Sequence, residues 1–106
     1  MANFIRAVMP DAVISLHTQG GEIFSSPREP RVKRIAERLA DAVGYEASYP
    51  TEHAAYGGLC DYTGVQLGIP SFTVELGRGE NPLSHDTYPA LCDTVRKLTL
   101  SLCKYL

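Results

Sequence analysis

The chain has 106 residues and a mass of 11.6 kDa, enough for one small domain and too little for a multidomain machine. Apolar residues make up 44% and charged residues 21%, a globular composition rather than that of a disordered tail. Ten basic against twelve acidic side chains leave a net charge of -2, which argues against a nucleic-acid binder working through bulk positive charge.

No apolar run approaches the length that spans a bilayer. The opening residues, Met1 to Arg6, lack the basic-then-apolar layout of a signal peptide, so the chain is expected to stay in the cytoplasm. Residues 2–8 carry Phe4, Ile5 and Val8 at helical spacing and stop before Pro10. Ala12 to Leu16 is a nearly continuous apolar run, the pattern of a strand buried on both faces. His17 ends it, Gln19-Gly20-Gly21 supplies a tight turn, and Glu22 to Ser25 reads as a short return strand. From Arg31 to Val43 the apolar residues Val32, Ile35, Ala36, Leu39, Ala40 and Val43 form one helical stripe, with Gly44 placed as the C-terminal cap.

Residues 46–48 read as a brief strand, and Tyr56 to Leu67 as a short helix weakened by Gly57, Gly58 and Gly64. Ser71 to Val74 is a second well-marked strand, closed by Glu75 and followed by a loop from Gly77 to Ser84. The last helix starts near Asp86 or Thr87, with Pro89 in its first turn. Its expected core face is Tyr88, Leu91, Cys92, Val95, Leu98, Leu102, Cys103 and Leu106. Helices alternating with short apolar strands make an α/β layered fold. The three cysteines form no CxxC pair, and buried free thiols are expected. Cys92 and Cys103, if on one helix, lie about 16 Å apart along its axis and cannot bridge.

In open α/β sheets, sites form beyond the carboxyl ends of the strands. Both marked strands end there in a reactive side chain, His17 and Glu75, each followed by a glycine-containing turn. An imidazole is a metal ligand and a carboxylate a general base. A histidine or glutamate at a strand end is more often simply solvated. His53, beside Thr51 and Glu52, is a further candidate, although a surface histidine is the commoner case. His85 reads as a cap-region or surface residue.

Three stretches carry a family resemblance: Pro10 to Gly20 around His17, Gly57-Gly58 with Asp61, and Gly68 to Gly77 around Glu75. Together they resemble the C-terminal part of the zinc carboxypeptidases of the carboxypeptidase A type. The run from Glu75 to Leu83, Glu-Leu-Gly-Arg-Gly-Glu-Asn-Pro-Leu, is closer to the bacterial γ-D-glutamyl-L-diamino acid endopeptidases of that family.

The resemblance implies a three-layer, mixed-sheet fold, with residues 1–106 as a partial zinc carboxypeptidase domain. It implies that His17 is one zinc ligand and that Glu75 is the base acting on a zinc-bound water. Thr18 and Gln19 fall where that family lines its cleft for a peptide substrate, and Cys60 where side chains shape the terminal-residue pocket. His53 stands where the family usually has a mobile tyrosine, a departure that leaves Tyr56 as a stand-in. The family's His-x-x-Glu motif occurs nowhere in the chain. The chain alone is therefore expected to be inactive and not to retain zinc.

The rival readings are a non-catalytic binding or assembly module on the same scaffold and a small metal-binding protein using His17, His53 and Glu75. In the family, a further strand lies beside the one ending in Glu75. Without it, Ser71 to Glu75 is expected to be a free sheet edge, and Phe72, Val74, Val13 and Leu16 to lose cover. That edge is expected to drive homo-oligomerisation.

Overall fold

The structure is a computed structural model that describes residues 1–26, 28–50 and 58–106. Its elements are α1 (Ala2–Val8), β1 (Val13–His17), β2 (Glu22–Ser25), α2 (Pro30–Val43), β3 (Glu46–Ser48), α3 (Leu59–Asp61), β4 (Ser71–Glu75) and α4 (Tyr88–Tyr105). A π-helical turn over Tyr62–Gln66 continues α3, and a 3-10 turn over His85–Thr87 leads into α4. The fold is α/β with a mixed four-stranded sheet in the order β1-β4-β2-β3. β1 runs parallel to β4, β4 antiparallel to β2, and β2 parallel to β3.

Alternation along the strands sorts their side chains between two faces. One face carries Ile14, Phe72, Val74, Ile23 and Ala47, and α2 and α4 cover it. The stripe expected of α2 is the one it buries, and Gly44 ends that helix at φ 70° with its N–H on the Ala40 carbonyl. The opposite face carries Val13, Ser15, His17, Ser71, Thr73 and Glu75, and α3 packs on β1 and β4 from that side. There Thr63 Oγ1 lies 2.6 Å from Ser71 Oγ, both residues buried.

Several expectations change. β4 is an interior strand, flanked on both sides, and the edges of the sheet are β1 and β3. Phe72 and Val74 are fully buried, because α2 and α4 close over that face. The exposure falls on β1 instead, where Leu16 is 48% exposed and no residue is fully buried. A strand paired on one side only, with α3 reaching only part of its length, is not buried on both faces.

β1 and β2 are not neighbours, since β4 runs between them. The Thr18–Gly21 connection therefore crosses over the carboxyl end of β4 rather than closing a hairpin.

The face of α4 is narrower than its sequence suggests. Leu98 and Leu102 are buried and Leu91, Val95 and Tyr105 join the core, while Tyr88, Cys92, Cys103 and Leu106 are exposed. The steps 91, 95, 98, 102 and 105 form a two-position stripe, which suits a helix that packs mainly on one partner helix, α2. Two of the expected buried thiols thus lie in solvent. Among the described residues no helix is long and apolar enough to cross a membrane.

Candidate active site

The parallel ladder of β1 and β4 makes His17 the Cα partner of Glu75. Adjacent strands are about 4.8 Å apart, and partners in a parallel pair project from the same face. His17 is exposed and Glu75 half-buried. The ladder continues past the pair, with the Leu76 N–H donating to the His17 carbonyl at 2.8 Å.

Over this end passes the Thr18–Gly21 connection. The Gly21 N–H donates to the Glu75 carbonyl and the Gly20 N–H to the Gly77 carbonyl, each at 2.8 Å. Gly20 has φ +150°, and a Cβ there would lie 3.6 Å from the Glu75 Cβ. That is ordinary contact distance, so it is the positive φ, not a lack of space, that favours glycine at this point.

The imidazole has a hydrogen-bond partner on its own strand. Ser15 Oγ lies 2.9 Å from His17 Nε2. Two residues apart on one strand, both side chains leave the same face. With Nε2 engaged, Nδ1 is the ring nitrogen open to a ligand. Sequence reasoning passed over Ser15, although strand alternation alone places it beside His17.

Thr18 is held rather than free. Its hydroxyl donates to Asn81 Oδ1 at 2.8 Å, and Asn81 Nδ2 donates to the Thr18 carbonyl at 3.0 Å. The two loops at the sheet end are thereby tied together, with Gln19 exposed between Thr18 and Gly20. Cys60 sits lower on the same face, its thiol in contact with Thr73 and the backbone of Ser15 and Phe72. Burial pushes this thiol up, and the Thr73 side chain and those backbone groups offset part of the rise. Cys60 also lines a cleft of about 130 Å³ with Gly64, Ile69, Ser71, Arg28 and Glu29. That cleft lies at the amino end of β4, away from Glu75. His53 and Tyr56 lie outside the described residues. His85 is exposed and meets the Tyr88 ring edge-on, its centroid 4.9 Å away.

Across the sheet, Glu22 is the partner of Glu75 and Glu46 the partner of Glu22. The open end of this face is thus a row of three carboxylates finishing at His17. Among the described residues, no three His, Cys, Asp or Glu side chains are grouped so as to hold a metal ion.

No family model matches the chain. A curated relative, gamma-D-glutamyl-L-diamino acid endopeptidase 1 of Lysinibacillus sphaericus, is 36% identical over 87 residues, which cover 78% of this chain and 21% of that protein. The chain spans about a fifth of the length of the relative it matches. At that level the chain is related to part of a peptidase, and so to a hydrolase.

Proposed function

We propose that this chain is the part of a peptide hydrolase that carries the general base, and that it acts on γ-D-glutamyl-diamino acid peptides of the cell wall. The observation supporting this most is the ladder pairing that sets His17 beside Glu75 under a glycine loop. In this reading Glu75 accepts the proton of the attacking water and returns it to the leaving amine. His17 offers Nδ1 as an electrophilic or metal donor position, and Gln19 and the loop backbone line the peptide's path. The carboxypeptidase-type centre of the resemblance, and its zinc, belong to this proposal. A catalytic zinc ion needs three protein ligands. The described residues bring one imidazole to the site and so do not form a zinc centre by themselves. The chemistry assigned to this chain is limited to binding, orientation and proton transfer at Glu75. That single donor also favours a second reading, a module that binds such peptides without cleaving them.

Titration of the isotope-labelled chain with γ-D-glutamyl-L-lysine tests the peptide reading. Amide shifts gathered at His17, Gln19, Gly20 and Gly77 support it, and shifts scattered elsewhere or absent overturn it. Placing this chain in the relative's matching stretch separates the two readings. Hydrolysis that survives the exchange and is lost on Glu75→Gln, with peptide still bound, supports the base. Peptide binding without hydrolysis in a folded, metal-loaded chimera supports the binding module.

A further inference from the structure

We infer that Arg78 is a carboxylate-binding residue that selects the free α-carboxylate beside a γ-glutamyl linkage; this rests on the peptide reading above. Arg78 stands three residues beyond Glu75, in the loop that the Thr18–Gly21 connection crosses. Its guanidinium is seated on Gly21, the Tyr45 ring and the Gly44 carbonyl. Gly21 is buried at φ +64°, and a Cβ there would come within 2.8 Å of Arg78 Nε and 3.0 Å of Cζ and Nη2. The missing side chain of Gly21 therefore provides the floor on which the guanidinium packs.

The Tyr45 ring forms a second support, with Arg78 Cζ 5.7 Å from its centroid. Tyr45 is itself fixed, because its hydroxyl accepts the Gly77 N–H at 2.8 Å. Arg78 spends one donor on a long 3.3 Å contact to the Gly44 carbonyl. Among the described residues the ion pairs are those of Asp93 with Arg96 and Lys97, and no carboxylate pairs with Arg78. A pre-seated, exposed fork with most of its donors unspent is suited to a planar, bidentate anion, which a carboxylate is.

The chemistry of a γ-linkage supplies that anion. When glutamate is joined through its side-chain carboxyl, its α-carboxylate remains free a few atoms from the scissile amide. An α-linked peptide has an uncharged amide in that place. Glu75 and Arg78 would thus read the two ends of one glutamyl residue, the first its amide and the second its carboxylate.

The test compares γ-D-glutamyl-L-lysine with its α-carboxamide analogue as ligands of the chain, by calorimetry and by the Arg78 Nε–H resonance. The free carboxylate should bind about tenfold or more tightly than the carboxamide, the range of a charge-assisted pair. Arg78→Gln should erase that gap by weakening the carboxylate ligand alone, and Arg78→Lys should restore part of it. A purely structural Arg78 would instead lower the melting temperature and affect both ligands alike. Equal binding of the two peptides to the unmodified chain overturns the assignment and leaves the peptide reading standing. If neither peptide binds but N-acetyl-D-glutamate still shifts the Arg78 Nε–H, the assignment stands and the peptide reading falls. If no carboxylate ligand moves that resonance, the assignment is wrong.

Discussion

His17 and Glu75 are Cα partners in the parallel ladder of β1 and β4, though 58 positions separate them in the chain. Their proximity depends on β4 lying inside the sheet, between β1 and β2. Were β1 and β2 joined as a hairpin, His17 would face Glu22 and the glycine loop would have no strand end to cross. The same arrangement turns Gly20 towards Glu75 and Gly21 towards Arg78. A single topological feature thus assembles the imidazole, the carboxylate and the guanidinium at one end of the sheet.

The isolated chain should hold zinc no better than an exposed histidine does. His17 offers one nitrogen, and a single donor loses to solvent at micromolar metal. Equilibrium dialysis at neutral pH should leave no stoichiometric zinc. One tightly retained ion per chain would overturn this and favour the metal-binding reading that uses His17, His53 and Glu75.

The α2 stripe, the strand at Ser71–Glu75 and the loop after it were legible from spacing and breakers, because those signals are local. The strand order was not. Nothing in Ala12 to Ser25 distinguishes a hairpin from two strands parted by a third, and the deciding contacts come from a segment some fifty residues away. Likewise, the sequence marks Leu91 to Leu102 as helical but does not say which flank meets α2, so Cys92 and Cys103 were misplaced. His17 and Glu75 could be picked out because strand ends carry sites in such sheets. Ser15 was within reach of the same reasoning. The seat of Arg78 depends on Gly21 and Tyr45, which only the fold brings to it.

Two of the three thiols should react quickly with a disulfide reagent at neutral pH, and one slowly. Cys92 and Cys103 are exposed on α4, whereas Cys60 is half-buried against Thr73 with its ionisation pushed upward. Mass spectrometry of partly labelled chain should find Cys60 last. Labelling of Cys60 at the rate of the other two would mean that α3 lifts from the sheet readily.

Tyr49 should titrate far above an ordinary phenol. Burial first, then the hydrogen bond to Glu37 and its negative charge, push it up to about 12. A folded-state value above the unfolded one means that the native chain keeps this proton longer. The stabilisation is complete below about pH 10, the unfolded value, and is lost as pH rises towards about 12. Phenolate absorbance should show a late transition that is absent from a Tyr49→Phe variant, and Glu37→Gln should bring it earlier. No change on that substitution would mean that Glu37 adds nothing to the effect of burial.

The Thr63–Ser71 contact should be worth more as a pair than either member suggests. Thr63 Oγ1 lies 2.9 Å from the Leu59 carbonyl and 2.6 Å from Ser71 Oγ, and Ser71 Oγ lies 2.8 Å from the Ile69 carbonyl. Two hydroxyl protons serve these three contacts, so losing one hydroxyl leaves the other partly unsatisfied. Thr63→Val, which keeps the shape, should cost about 1–2 kcal/mol in urea unfolding with an unchanged slope. Adding Ser71→Ala to that variant should cost less than Ser71→Ala alone, and simple additivity would argue against coupling.

Self-association should run through β1. Among the described residues its outer edge has no partner strand, and Leu16 is 48% exposed on the face that α2 and α4 otherwise cover. An edge without lysine or proline within it invites pairing with another chain. The segment is also compatible with its own antiparallel copy. Centred on Ser15, such a pair sets Ile14 against Leu16 of the second chain on one face and Val13 against His17 on the other, with no like charges opposed. A symmetric dimer with an eight-stranded sheet follows, each protomer contributing its four strands. Light scattering across a concentration series should show mass rising towards twice 11.6 kDa. Leu16→Lys places a charge at an already exposed position, so the protomer should keep its circular dichroism and melting transition while remaining monomeric. An unmodified chain that stays monomeric at high micromolar concentration, or a Leu16→Lys variant that dimerises undiminished, would rule out β1 as the contact.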